Sequence, residues 1–230
     1  MTILLRLAML LLLVFPVQAL TADAAQESPL EVAQRLQKSF DSMHSLSFNF
    51  YQDTRGEMTG RPKKGSGKAV FLRTGKASRM RWDYLNPDRQ IIINDGTTVS
   101  MYFEELNQMI VSPAENLDKD LTYAFFTGRG NVERDFYIRP AEEQEMAIRT
   151  DDFSVIKLMP KTMQSQVKDI HVWVTPNSLI RRLKIRDHFG TITVLSFSDI
   201  KVDALKSVSE KEQNKIFTFE PPSGTEIIRQ

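Results

Sequence analysis

The sequence predicts a mainly β (α+β) protein of one domain, with roughly ten or eleven antiparallel strands and two or three helices. Three observations carry this. Between residues 65 and 113, short apolar runs alternate with the breakers Gly75, Asn86-Pro87, Asp95-Gly96 and Asn107, the rhythm of a β-meander. A second meander begins near Val167 and reaches Ile200, with turn signals at Pro176-Asn177-Ser178 and Phe189-Gly190. Helical spacing is confined to short stretches, and no long linker divides the chain.

Taken in order, the chain opens with Arg6, an unbroken apolar run over residues 7–15, Pro16, and small-residue sites at Val17-Gln18-Ala19 and Ala22-Asp23-Ala24. This is the pattern of a secretory signal removed near residue 24, which leaves residues 25–230 as the mature domain. A spanning helix needs about 20 apolar residues, roughly twice this run. Ser28-Pro29-Leu30-Glu31 then has the form of a capping box, with Ser28 as N-cap, Pro29 at the first helical position and Glu31 reaching back. The helix runs to about Met43, and Leu30, Ala33, Leu36, Phe40 and Met43 form one apolar stripe.

Residues 47–52 alternate as a first strand, and the glycine-rich residues 56–67 read as a hairpin loop. Strands follow over 68–73, 79–84, 90–94, 98–103 and 108–112. Asp95-Gly96 between two apolar runs predicts a type I′ hairpin, which needs positive φ at both central positions. In residues 79–84, Met80, Trp82 and Tyr84 share one face and Arg79, Arg81 and Asp83 the other, the period of a half-buried strand. Residues 116–126 place Leu117, Leu121, Ala124 and Phe125 on one side of a second covering helix. Further strands are expected over 135–139, 146–149, 153–159, 167–174, 180–187 and 191–200, with 216–219 as the last.

Composition excludes several function classes. A net charge of +1 gives no electrostatic footprint for nucleic acid; Arg61, Lys63 and Lys64 make only a local basic patch. Cysteine is absent, so an exported chain has neither disulfides nor a thiol for lipid attachment, and the mature protein is expected to be soluble. The histidines His44, His171 and His188 lack metal-ligand spacing. Glu142-Glu143 and Asp151-Asp152 fall in polar stretches where solvated charge is the default. Gly65-Ser66-Gly67-Lys68 lacks P-loop spacing and precedes a strand, and no nucleophile elbow occurs. With no catalytic constellation, no metal site and no cofactor motif, binding or carriage is favoured over turnover.

Three blocks resemble the LolA family of periplasmic lipoprotein carriers. They are residues 67–102 with Arg81, Trp82 and Tyr84, then Pro87, and Asp95-Gly96 ahead of Tyr102; Leu158-Met159-Pro160-Lys161 with Trp173-Val174, Pro176 and Phe189-Gly190; and Phe217-Thr218-Phe219 with Pro221-Pro222 and Gly224. The resemblance implies an incomplete, strongly curved antiparallel β-barrel of about 11 strands with helices over its open side as a lid. It implies a periplasmic, monomeric, non-enzymatic carrier of acylated lipoproteins, loaded by a Lol-type inner-membrane ABC transporter and unloaded at an outer-membrane lipoprotein receptor, with only transient membrane contact. A shuttle for another outer-membrane lipid or glycolipid, or a periplasmic lipid sensor of the same fold, is the alternative. In the family an arginine after the Gly-x-Gly stretch bonds the lid, and Arg73 matches it. Thr74 stands where proline is common in the family, and Ser100 where an aromatic is common.

Physical chemistry supports the same role. Exposing an acyl chain of about 16 carbons to water costs on the order of 12 kcal/mol. Ten methionines and fourteen phenylalanines can line adaptable apolar walls. The expected cavity lies between a sheet face carrying Phe50, Val70, Met80, Trp82, Tyr84 and Met101 and the helical stripe Leu36, Phe40 and Met43.

Overall fold

The computed structural model describes residues 27–56, 61–74, 77–115, 130–146, 153–162 and 166–230. The expected signal over 1–24, the helix over 116–126 and most of the strand over 146–149 fall outside these residues. The described residues build one 12-stranded sheet in the order β12-β6-β5-β4-β3-β2-β1-β11-β10-β9-β8-β7. Its strands are β1 Ser45–Arg55, β2 Lys63–Thr74, β3 Ala77–Asn86, β4 Gln90–Asn94, β5 Thr98–Phe103 and β6 Gln108–Pro113. The second half comprises β7 Phe136–Pro140, β8 Ser154–Pro160, β9 Asp169–Val174, β10 Ile180–Arg186, β11 Ile192–Val202 and β12 Glu226–Arg229. Neighbours pair antiparallel except β12, which runs parallel to β6. The two meanders meet where β1 pairs with β11, and β12 and β7 do not pair with each other, so the curled sheet stays unclosed.

Four helices accompany it among the described residues: α1 Pro29–Ser42, α2 Val132–Asp135, α3 Glu143–Met146 and α4 Glu210–Ile216. The capping box of α1 forms as the sequence requires, with Ser28 Oγ accepting from Glu31 N and Glu31 Oε2 accepting from Ser28 N. Its buried face is Val32, Ala33, Leu36 and Phe40. Leu30, expected in that stripe, is instead 47% exposed, because the stripe enters the core through Val32.

Alternation divides the sheet into two apolar layers. On the inner face, where α1 packs, Phe48, Phe50, Ala69, Phe71, Met80, Trp82, Val172, Leu183, Leu195 and Phe197 join Leu36 and Phe40 in the main core. The outer face of β2 to β6 carries Leu72, Ile91, Ile93, Tyr102 and Met109, covered by Phe217 with Leu205, Ile216 and Phe219 beside it. That second layer explains why Ile91-Ile92-Ile93 can be apolar throughout: Ile91 and Ile93 face the C-terminal segment, while Ile92 packs on the inner core.

The C-terminal segment departs from the sequence expectation of a closing strand over 216–219. The helix α4 ends at Ile216, and a further strand, β12, follows at 226–229. The signal for α4 is a second capping box, Ser209 with Glu212, in a stretch with few apolar residues to mark a helical period. Two turns also differ. The Asp95-Gly96 hairpin forms, but of its residues only Gly96 has positive φ (102°), so it is not type I′; Asp95 Oδ1 accepts from the N–H groups of Thr97 and Thr98 at 2.8 Å. The glycine-rich loop over 56–67 is shorter than expected, since β2 begins at Lys63 and takes Gly65 and Gly67 into the strand.

Gly67 is required there by contact. A Cβ at this position would lie 1.8 Å from the Asp83 carbonyl oxygen, where β2 and β3 approach at a register shift. Gly65 differs, since its Cβ would meet only the Tyr84 ring at 3.2 Å. Gly67→Ala is expected to cost roughly 2–3 kcal/mol in a denaturant titration, and Gly65→Ala much less; equal effects would mean that the β2–β3 backbone yields.

Candidate functional site

The site is built from the inner face of the sheet and the helix across it. Period-two alternation sets Phe48 and Phe50 of β1, Phe71 of β2, Trp82 and Tyr84 of β3 and Phe197 of β11 side by side. Ring centroids are 4.6 Å apart for Phe50 and Trp82, 4.6 Å for Phe48 and Phe197, and 4.8 Å for Phe50 and Tyr84. Ala69 sits opposite Trp82 in the register, which leaves room for the indole. The Tyr84 hydroxyl in this layer donates to Gln52 Oε1 at 2.8 Å, and burial pushes its pKa up.

Polar bonds fix α1 over this layer at both ends. Near its C-terminus, Arg73 Nη1 donates to the Asp41 carbonyl at 2.8 Å and lies 3.7 Å from the Asp41 carboxylate, while Arg73 N donates to His44 O. Towards its N-terminus, Arg35 Nη1 donates to Thr175 O at 2.8 Å and to Ser178 Oγ at 3.1 Å, and Nη2 donates to Ser154 Oγ. Its Nε donates to Glu27. Gln37 Oε1 accepts from Val132 N at 2.9 Å and ties α1 to α2.

Space is unevenly distributed along the helix. Beside Phe40, Met43, Leu46, Phe71 and Arg73 the free volume is only about 20 Å³. At the N-terminal half of α1 a cleft of about 580 Å³ lies against β7 and β8, lined by Pro29, Val32, Ala141, Met146, Phe153 and Ile156 among others. Sites for small organic ligands span about 300–1,000 Å³, so the second space has the size for a ligand and the first does not.

A profile described as "Outer membrane lipoprotein carrier protein LolA" matches residues 41–219. The chain belongs to the LolA family. The outer-membrane lipoprotein carrier protein of Nitrosomonas europaea is 28% identical over 73% of this chain and 74% of its own length. That of Methylococcus capsulatus is 25% identical over 90% of each chain. Among solved structures, an uncharacterized conserved protein from Thermus thermophilus is similar over 87% of this chain and 98% of its own, with 11% identity and a TM-score of 0.52. This last likeness is one of fold.

With the LolA family established, the residues expected to line the cavity sort as follows. Phe50, Met80, Trp82, Leu36, Phe40 and Met43 share the inner core, with Tyr84 packed against it. Met101, half-buried, follows Ile92 and Trp82 in the cross-strand register and so lies on the same face. Val70 does not join them. It pairs with Arg81 and packs on the outer layer, because Ala69 and Phe71 take the inward positions of β2. Val32, Ala141, Phe153 and Ile156 at the cleft went unnoticed in the sequence, since each is an ordinary apolar residue of an element end. Arg35 was equally invisible, because its acceptors are a carbonyl and two hydroxyls more than 100 residues away along the chain.

Glu142, expected as solvated charge, is structured on the outer face of β8 to β10. His171 there is buried: its Nε2 lies 2.5 Å from Glu142 Oε2, and its Nδ1 lies 3.8 Å from the buried Asp169 Oδ1. Lys157 also pairs with Glu142, Lys184 with Glu145, and Arg186 Nε donates to Asp169 Oδ2 at 3.0 Å. Residues 141–146 thus form a strap held to the sheet by charge. Burial alone would raise the Glu142 carboxyl, but hydrogen bonds from Lys157 and His171 hold it at about 2. Because the folded pKa lies below the ordinary value, this stabilisation is present above about pH 4.5 and lost as pH falls towards 2. Thermal midpoints measured across that window should decline, and the decline should be shallower in Glu142→Gln; superimposable slopes would show that the strap contacts add nothing.

Proposed function

We propose that this chain shelters the acyl chains of lipoproteins and carries them across the periplasm from the inner to the outer membrane. In this reading, residues 1–24 are removed on export and residues 25–230 act as a monomeric carrier domain. A Lol-type ABC transporter loads it, and an outer-membrane lipoprotein receptor takes its cargo. The observation that carries the proposal is an amphipathic helix held over the aromatic face of an unclosed sheet by side-chain bonds, with a cleft of about 580 Å³ at one end whose lining mixes apolar side chains with Glu27, Ser28 and Ser154. The carrier names of its relatives support the same cargo class. No enzymatic step enters this reading.

Magnitudes favour an opening helix. A hydrogen bond to a charged group contributes about 1.5–3 kcal/mol, whereas burying one acyl chain of about 16 carbons returns on the order of 12 kcal/mol. Cargo that enters beside Val32 and Ile156 can therefore displace Phe40 and Met43 from the aromatic layer and break the Arg73 contact. Phe50, Met80, Trp82 and Tyr84 then become cargo wall instead of core.

Purified protein is expected to bind a lipopeptide or long-chain fatty acid at one-to-one stoichiometry, read by displacement of a fluorescent acyl probe. Leu36→Glu or Phe40→Glu should impair uptake. Met146→Trp, which narrows the cleft while keeping it apolar, should do so without unfolding the domain. Failure of the folded wild type to bind any acylated ligand would refute the carrier reading.

Arg73→Leu has the opposite sign. Loss of about 1.5–3 kcal/mol from the closed form should tighten acyl binding roughly tenfold or more and slow delivery to acceptor membranes. Unchanged affinity and delivery in this variant would remove Arg73 from the latch.

A further inference from the structure

The turn between β10 and β11 holds a feature that carriage within the cavity does not use. Phe189 at its tip is 80% exposed, the largest exposure among the exposed large apolar residues described. The turn is braced, since Asp187 Oδ1 accepts from Phe189 N at 2.8 Å and Thr191 N at 2.7 Å, Asp187 N donates to Thr191 O, and Gly190 takes positive φ. The ring is thus presented to water by a fixed backbone, although turning it inwards would reduce its cost in water.

Its surroundings are basic on both flanks. β1 pairs with β11 so that Arg55 lies opposite Ile192, and Thr54 pairs with Lys63 of β2, which brings the end of β1 and the start of β2 beside the Phe189 turn. On the other side, Lys168 N donates to Arg186 O at the end of β10. Arg61, Lys63, Lys64 and Lys168 are all exposed, as is His188 next to the ring. Among the described residues, the acids at this corner are engaged: Asp53 pairs with Arg55, Asp169 with Arg186, and Asp187 caps its own turn. Farther along the same end of the sheet, the β3–β4 and β5–β6 turns carry Asp88, Glu104 and Glu105 around the exposed Leu106, with Arg89 paired to Glu104. Aromatic and cationic groups therefore coincide at one corner, and acids outnumber bases at the other.

We infer that the Phe189 turn and the adjoining basic residues form an interfacial foot that seats this end of the sheet on an anionic phospholipid surface. The phenyl ring enters the headgroup region while Arg61, Lys63, Lys64 and Lys168 meet lipid phosphates. This rests on the carrier reading, whose family resemblance implies transient membrane contact, and it adds the surface, its orientation and its lipid preference. It does not depend on what fills the cleft.

The test uses vesicles of phosphatidylglycerol and phosphatidylcholine against vesicles of phosphatidylcholine alone, with the wild type and variants sharing one N-terminus. The wild type should cosediment with the anionic vesicles and little with the neutral ones, and added salt should release it. Phe189→Ser and the pair Lys63→Glu/Lys64→Glu should each lower the partition coefficient about tenfold or more. Because Trp82 and Trp173 are buried, F189W supplies a separate signal, whose emission should shift to the blue and lose access to a soluble quencher on anionic vesicles. Equal binding to both compositions, a Phe189→Ser variant that binds like the wild type, or an F189W emission that stays at its aqueous position would overturn the inference. Acyl-probe binding by the same variants should be unchanged, which separates failure of the foot from failure of the carrier.

Discussion

An antiparallel sheet that stops short of closure leaves a broad apolar face with nothing opposite it, and every other part of this molecule answers that constraint. The inner face is aromatic along β1, β2, β3 and β11, and α1 covers it with Val32, Ala33, Leu36 and Phe40. Covering from outside the sheet differs from closing it. A closed barrel would tie its core into a continuous backbone hydrogen-bond network, whereas here, among the described residues, the cover is α1, held mainly by packing and a few side-chain bonds. In the proposed carrier the same amino acids would serve as core when the helix is down and as cargo wall when it is raised. The outer face has a different solution: the chain returns across it through α4 and Phe217, and β12 then pairs with β6.

Much of this architecture was legible in the sequence because period-two alternation is strong where one face is buried. Gln90–Asn94 and Thr98–Phe103 form with the expected limits, and α1 begins at the capping box its first residues spell out. The failures share a physical origin. Val70 looks like a wall residue because valine is larger than the alanine beside it, yet the register turns Ala69 inwards to admit Trp82. Glu142 looks solvated because it stands in a polar local sequence, and only the strap brings it to His171 of β9. The helix α4 announces itself through a cap and little else, since its partner surface comes from strands more than 100 residues earlier.

The functional residues divide in the same way. Large apolar groups at strand spacing could be read as a face, and the family resemblance gave that face a purpose. The family match begins at residue 41, so most of the covering helix lies outside the matched span, and its place in the site comes from its own amphipathic pattern and its contacts. The cleft could not have been foreseen, because it is a property of where α1, β7 and β8 fail to meet and not of any one side chain.

The two arginines that hold α1 bind unlike parts of the molecule. Arg73 belongs to β2 and grips the last turn of the helix, while Arg35 belongs to the helix and grips β8 and the β9–β10 turn. The helix is thereby a crossbar between the two meanders, one attachment on either side of the β1–β11 seam. Releasing one attachment does not free the bar; it turns it into a lever pivoting on the other. Freed at Arg73, it swings out over the aromatic face with its capped end as fulcrum. Freed at Arg35, it lifts from the cleft and leaves the aromatics covered. In the proposed carrier, which arginine lets go first would decide whether a hydrophobic passenger meets a deep groove or a shallow ledge, so the same helix would have two distinct ways to open.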